Sequence, residues 1–321
     1  LEETIFRKIS LFCNVKEDCV IENRTLGNLY EAPLMLEKSG FSDVVCRELH
    51  LEAPAPDLAD WEEMVERIRN RSEEVRIGLV GKYVKLHDAY LSVAEAMSHA
   101  GYEQNTFINI RWIDSETITK ENVEDMLADL DGVIVPGGFG NRGIEGMILA
   151  ADYAREHHIP YFGICLGMQI GVITFARNVM GIKDAHSGEF DEQCAHKVID
   201  FMPGQSEEIE KGGTLRLGSY PCSIKAGTKM EACYGASLIH ERHRHRYEFN
   251  NEYREEMERA GLVISGTSPD GRLVEAIELP DHPFFVGVQF HPEFKSRPNQ
   301  AHPLFRGFIS AALRHAKGKE E

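Results

Sequence analysis

The sequence predicts an α/β fold: a mostly parallel central sheet with helices on both faces, followed by a β-rich C-terminal part. Three observations carry this expectation. Between residues 76 and 178, short apolar runs alternate with helix-length amphipathic stretches. The runs RIGLVGKY, GVIV and PYFGI are apolar nearly throughout rather than at every second position, as strands of a parallel sheet covered on both faces are. Beyond residue 195 the helical period fades, and runs such as FFVGVQF and the turn SPDG (268–271) read as strands and hairpins.

In order along the chain, Ile9–Val15 reads as a strand and Leu29–Ser39 as a helix stopped by Gly40. Residues 51–74 open as a Pro- and Ala-rich linker and continue as a short amphipathic helix, with Asp60 as its cap and Glu63 at the capping-box position. From Arg76, strands are expected at 76–83, 106–113, 132–138 (running into a Gly-rich loop) and 160–165. Helices are expected at Ala89–Ala100, Glu121–Leu130, Glu145–Glu156 and Met168–Asn178. Leu262–Leu279 turns at SPDG, 284–290 is a buried strand and 302–315 a closing helix. With 321 residues, about two domains are expected.

Composition bounds the function. A chain with 42% hydrophobic and 27% charged residues has ample core for a globular fold. Its net charge of −17, from 52 acidic against 35 basic residues, disfavours nucleic acid and anionic membrane as partners, since affinity for phosphate polymers comes from clustered Lys and Arg. A small anionic ligand held by a local Arg cluster stays compatible. No apolar run approaches the roughly 18 residues of a membrane helix. The seven cysteines (13, 19, 46, 165, 194, 222 and 233) lack CxxC spacing and follow no leader-like stretch, which points to a reducing cytoplasm. The apolar segment KISLFCNV (8–15) begins so close to the first residue that a longer parent chain is expected.

The strongest chemical signal is GICLG at 163–167, entered from an apolar strand and followed by a helix. A nucleophile on a sharp strand-to-helix turn needs small neighbours, because the strained backbone brings flanking residues against the sheet. The turn also sets the Cys165 thiol at a helix N-terminus, whose dipole favours thiolate. A free cysteine is more often plain core; glycine on both sides favours the nucleophile here. A thiolate attacking an amide needs a proton donor for the leaving ammonia. FHPEF (290–294) supplies one: His291 and Glu293, two residues apart at a strand end, would share one face of an extended segment and let the carboxylate orient the imidazole.

In PGGFGNRG (136–143), Gly138, Gly140 and Gly143 satisfy G-x-G-x-x-G between a strand and a helix. A dinucleotide site would need an acidic residue at the end of the next strand, and that strand ends in Gly163-Ile164-Cys165. An oxyanion loop, with a glycine N–H and that of Leu166 facing a tetrahedral intermediate, fits better. His240, His243 and His245 suggest a metal, but Arg242, Arg244 and Arg246 alternate with them. Three cations crowd any ion, and a strand turns alternate residues to opposite faces. No metal site is expected.

PGGFG, GICLGMQ and FHPE, in this order, resemble the motifs of the class I (triad) glutamine amidotransferases. The likeness extends over nearly the whole chain to the CTP synthase family, through KISLFCNV to LEAPAPDLADWEE, GLVGKYVKLHDAYLSV (78–93), PGGFGNRGIEGMI (136–148), GTLRLG (213–218), ERHRHRYEFN (241–250) and QFHPEF (289–294). The resemblance implies cofactor-free hydrolysis of L-glutamine to glutamate and ammonia. Cys165 would be the nucleophile, His291 the general acid/base and Glu293 its orienting partner. It also implies glutamine contacts at Gly138, Phe139, Leu166, Gly167 and Met168, with Gln169, Glu189 and Arg246 on the amino and carboxylate ends. The chemistry agrees, since Arg forks a carboxylate and Glu takes an ammonium.

In that family a synthetase domain uses ATP, Mg2+ and the ammonia to aminate UTP, GTP activates hydrolysis, and the intact cytoplasmic protein is a homotetramer. The resemblance therefore divides this chain into a synthetase remnant (1–50), a linker (51–75) and a glutaminase (76–321). No G-x-x-x-x-G-K-[ST] loop occurs, so the chain is not expected to make CTP alone. Arg24, Thr25 and Leu26 align with a segment that contacts ATP adenine, and Thr214 and Arg216 with a loop that takes part in GTP activation. Two other readings compete: γ-glutamyl or peptidase-like chemistry on the same elbow, and a slow piece acting mainly in assembly or regulation.

Overall fold

Residues 1–201 and 216–320 are described by the computed structural model, whose contacts divide it into two units, Leu1–Arg71 and Ser72–Glu321. The first unit is helical: α1 (Glu3–Cys13), α2 (Ala32–Lys38), α3 (Phe41–Glu48) and α4 (Ala59–Arg69). Helix α1 overturns the expected strand at Ile9–Val15. Ile5, Ile9 and Phe12 recur at helical spacing, and Asn14 closes the helix in the left-handed region at φ 52°, its N–H donating to Ser10 O. Helix α4 forms inside the expected linker, but Asp60 sits within its first turn and Leu58 takes the cap position without a side-chain bond. Asp57 Oδ1 instead accepts from Ala59 N at 3.1 Å. Trp61 Nε1 donates to Tyr30 O at 2.7 Å and Arg69 pairs with Glu31 at 2.8 Å, tying α4 to the turn before α2.

The second unit is built on a nine-stranded sheet. Its strands are β1 (Glu73–Gly81), β2 (Thr106–Asp114), β3 (Gly132–Val135), β4 (Tyr161–Ile164), β7 (Arg216–Ile224), β8 (Leu238–His245), β10 (Val263–Thr267), β11 (Val274–Glu278) and β12 (Phe285–Val288), in the order β2-β1-β3-β4-β12-β11-β10-β7-β8. A small second sheet pairs β5 (Ala185–Ser187), β6 (His196–Phe201) and β9 (Tyr247–Phe249). From β2 to β12 the large sheet is parallel; from β12 to β8 every pairing is antiparallel. The α/β class therefore holds with a mixed sheet, because most of the β-rich C-terminal part extends the parallel half, with β6 and β9 going to the small second sheet.

Helices α5 (Leu91–Glu103), α6 (Val123–Leu127), α7 (Ile144–Glu156), α8 (Leu166–Asn178), α9 (Lys229–Tyr234), α10 (Arg254–Arg259) and α11 (Pro303–Glu320) complete the unit. The pleat explains the unbroken apolar strands. Val133, Val135, Tyr161 and Phe285 face a core shared with α7 and α8, whereas Ile134, Phe162, Val286 and Val288 face one shared with α5 and α11. Both faces are buried, so neither parity can be polar. The expected helix at 121–130 shrinks to α6, Val123–Leu127. Among the described residues no helix is long and apolar enough to cross a membrane.

Candidate active site

Strand β4 delivers Cys165 to the end of the sheet and α8 begins one residue later. Cys165 adopts φ 52° and ψ −100°, a conformation costly for any residue with a Cβ. Its N–H donates to Val288 O at 2.7 Å and its carbonyl accepts from Met168 N at 3.1 Å, which pin the turn to β12 and to the first turn of α8. The flanking glycines are steric necessities. A Cβ on Gly167 would lie 2.0 Å from Val135 O, and one on Gly163 2.5 Å from the Gly167 carbonyl carbon. Cys165 is 6% exposed, so the sulfur sits in a recess with limited water.

His291 and Glu293 meet as expected, His291 Nδ1 lying 2.8 Å from Glu293 Oε1. The backbone route differs from the expected extended segment. Strand β12 ends at Val288, His291 donates its N–H to Arg242 O at 2.7 Å, and Pro292–Lys295 form a 3-10 turn that folds Glu293 back onto the imidazole. With Nδ1 engaged by Glu293, the other ring nitrogen is left to serve Cys165 across the same cavity. Burial pulls the His291 pKa down, but the pull of Cys165 and of the Glu293 carboxylate outweighs it and raises the imidazole to about 10.

A cavity of about 320 Å³ opens on Cys165, His291 and Glu293, walled by Gly138, Phe139 and Arg244 among others. Phe139 is half exposed and stacks under the Arg244 guanidinium, 5.8 Å from its ring centre. Gly137, which the motif reading passed over, packs closest to the chemistry. A Cβ there would lie 2.9 Å from His291 Cε1 and 3.6 Å from Cys165 Cβ. The following peptide, between Phe139 and Gly140, is gripped from both sides. Lys82 Nζ donates to the carbonyls of Phe139 (3.2 Å) and Gly140, and Glu189 Oε1 accepts from Gly140 N at 3.1 Å. Lys82 is 3% exposed. Burial depresses its pKa to about 8, against the pull of Glu189 and with a small push from Arg142. Burial in turn raises Glu189, against Gly140 N, Lys82 and Arg246.

The other expected contacts separate into groups. Leu166, Gly167 and Met168 form the buried first turn of α8, with the Met168 side chain in the core. Gln169 is buried and donates to Tyr247 O at 3.0 Å and to Gln289 Oε1 at 3.2 Å. Gln169, Glu189 and Arg246 are not part of the cavity wall around Cys165, although Arg246 is near enough to Glu189 to pull on its titration. Arg216 is 9% exposed and pairs with fully buried Glu275, so its charge is already committed. Thr214 lies outside the described residues. Arg24, Thr25 and Leu26 line a cavity of about 350 Å³ within the first unit, beside Lys38 and Arg69.

On β8, His243 and His245 turn inward while Arg242 and Arg244 turn outward, as the alternation implies; His240 joins the arginines outside. His243 Nδ1 and His245 Nε2 lie 3.1 Å apart. Burial drives both imidazoles to low pKa, about 2 and about 3. Among the described residues no group of three or more His, Cys, Asp or Glu could hold a metal ion.

A family profile described as glutamine amidotransferase class-I matches residues 85–311, and one described as CTP synthase N-terminus matches residues 1–51. A CTP synthase of Carboxydothermus hydrogenoformans is 59% identical over 317 residues, covering 99% of this chain and 59% of that protein. A CTP synthase of Listeria innocua is 58% identical over 306 residues, covering 95% of this chain and 58% of that protein. The chain thus spans less than two thirds of these relatives. A solved structure described as the glutaminase domain of Trypanosoma brucei CTPS with bound acivicin superposes with a TM-score of 0.71 at 40% identity, covering 75% of this chain and 94% of that one.

Proposed function

Since the chain belongs to the class I glutamine amidotransferases, in the CTP synthase family, we propose that it hydrolyses L-glutamine through a γ-glutamyl thioester on Cys165. One observation carries the reading: a strained Cys165 at the start of α8 opens on the same cavity as His291, whose Nδ1 is held 2.8 Å from Glu293.

The sulfur attacks the side-chain amide carbon of glutamine, forming a C–S bond and moving the carbonyl electrons onto oxygen. Backbone N–H groups of the Gly137–Gly138 turn and of Leu166 face that oxyanion, where preorganised donors act strongly in a water-poor recess. As the oxyanion collapses, the C–N bond breaks and His291 gives its proton to the leaving nitrogen, releasing ammonia. A water then adds to the thioester while His291 takes its proton; the C–S bond breaks, returning the sulfur and freeing glutamate. Glu293 holds the ring in the tautomer that serves both steps. Gln169, Glu189 and Arg246 take the amino-acid end, with Phe139, Gly167 and Met168 shaping the approach. Glu189 would exchange its bond to Gly140 N for the substrate ammonium.

In the longer relatives the ammonia would serve an ATP-dependent amination of UTP in a tetrameric, cytoplasmic ligase, with GTP as activator. The first unit would be the tail of that synthetase. The chain spans less than two thirds of those relatives, and no step through ATP is assigned to it. The GTP contribution would run through the segment holding Thr214 and Arg216.

The test is glutamate release from glutamine by the full chain, with and without GTP, alongside labelling by acivicin. Wild type should turn over and carry the label on Cys165; Cys165→Ala should lose at least about a thousandfold in rate and take no label. A folded wild-type protein that neither hydrolyses glutamine nor is labelled would sink the proposal.

A further inference from the structure

Gln289 is fully buried, two residues before His291. Its N–H donates to Glu275 O at 2.8 Å, which fixes where its side chain starts. The amide at the other end is held in one orientation by a short chain of bonds. Tyr247 O, a backbone carbonyl that can only accept, takes a hydrogen bond from Gln169 Nε2 at 3.0 Å. That fixes the Gln169 amide, whose nitrogen also donates to Gln289 Oε1 at 3.2 Å. With its oxygen so occupied, Gln289 must turn its own nitrogen the other way, and Nε2 stands 3.6 Å from Cys165 Sγ, within N–H···S range. Rotating the Gln289 amide would oppose two NH2 groups in a buried site, at the cost of an unmade hydrogen bond.

We propose that Gln289 is a further catalytic residue: a donor aimed at the Cys165 sulfur that favours its anionic form and fixes its direction of attack. The inference rests on the glutaminase reading for its purpose, but its chemistry concerns the thiol alone. A hydrogen bond donated to an ionised acceptor is about twice as strong as a neutral one, so the donor stabilises the attacking state selectively. It also relieves His291, which need not be the sulfur's sole partner when it turns its proton to the leaving nitrogen. Gln169 thereby gains a second part. It orients Gln289 with its nitrogen.

The experiment follows iodoacetamide alkylation of Cys165 in the full chain by peptide mass, from about pH 5 to about pH 10, a chemistry that reports the ionised thiol. Gln289→Met keeps length and volume but has no donor; Gln289→Glu keeps shape and sets a carboxylate beside the sulfur. The midpoint of the rate profile should rise by about one pH unit in the Met variant, which is about tenfold slower alkylation on the acid side, and further in the Glu variant. An unchanged midpoint in a Met variant that melts like wild type would overturn the inference. If neither Gln289 variant folds, Gln169→Leu, which releases the Gln289 amide, should still raise the midpoint, and no rise there overturns it equally. Glutamine turnover is measured in parallel. A shifted midpoint with no wild-type turnover would discard the glutaminase reading and keep the Gln289 donor; turnover with an unshifted midpoint would do the reverse.

Discussion

A buried lysine is costly unless its ammonium is hydrogen-bonded, and among the described residues Lys82 meets that condition at one place, the carbonyls of Phe139 and Gly140. Glu189 takes the amide N–H of the same peptide, so a cation and a carboxylate fix the loop that faces the Cys165 cavity. The motif PGGFG supplies the loop's freedom to bend, and Lys82 removes it. Replacing Lys82 with Met would leave two carbonyls without their charged donor, a loss of about 1–3 kcal/mol. If half of that reaches the transition state through a looser loop, kcat/KM for glutamine drops about two- to twelvefold. The pH profile separates this role from simple packing. Burial holds Lys82 near a pKa of about 8, so the ammonium is lost as pH rises past that value. Wild type should show an alkaline limb there, well below the one set by His291 at about 10. The Met variant should lack the lower limb. Identical alkaline limbs in both proteins would remove Lys82 from the site.

At the scale of elements, the turn from β4 into α8 is decided by contact with a third element, β3. Gly167 approaches so closely that a Cβ would overlap Val135 O at 2.0 Å; a backbone carbonyl in the middle of a sheet cannot move aside. Gly171, one turn further along α8, would place a Cβ 3.3 Å from a Phe285 ring carbon, and a ring edge can shift. Gly167→Ala should therefore destabilise by at least the roughly 1–3 kcal/mol of ordinary overpacking and abolish alkylation by acivicin, whereas Gly171→Ala should fold and react. Urea unfolding of both variants decides it, and equal midpoints would mean that the approach is not rigid. The elbow was legible in the sequence for this same reason, since small residues on both sides of a cysteine mark a steric demand. The doubly buried strands were legible because both faces demand apolar side chains. Helix α1 was not, because none of its residues is buried: Ile5, Ile9 and Phe12 keep a helical spacing, but the apolar run KISLFCNV that holds two of them reads equally as a strand. The His291–Glu293 pairing was legible as a spacing, but its 3-10 turn depends on bonds from His291 N to Arg242 O and from Lys295 Nζ to His240 O (2.5 Å), both on a strand about fifty residues away in sequence. Lys82 and Gln289 escaped notice because a polar residue at a strand end is ordinarily solvated; its burial exists only after folding.

For the whole molecule, the two sheets of the second unit meet over a belt of ionisable groups: Arg216, His243 and His245 of β7 and β8, Glu275 of β11 and Glu248 of β9. Burial holds both histidines neutral, so Arg216 is the belt's cation, and it is already paired with Glu275. Among these five residues there is no further cation to balance a second carboxylate. Burial, reinforced by Glu275 and opposed by Arg216, raises Glu248 from 4.5 to about 7, and its Oε2 has no hydrogen-bond partner among the described residues. The folded chain therefore keeps a proton on Glu248 that the unfolded chain releases above about pH 4.5. That contribution to stability is whole below the unfolded value and is lost as pH rises through about 7. Across that window the loss is on the order of 3 kcal/mol, at roughly 1.4 kcal/mol for each pH unit between the unfolded and folded values. Glu248→Gln carries the neutral amide at every pH and should lose less stability than wild type between about pH 5 and about pH 7.5, with the two proteins alike at the acid end. Urea unfolding at stepped pH measures this difference directly. Parallel stability curves would mean that Glu248 is ionised in the folded chain, and the belt would then need a second cation to hold the sheets together.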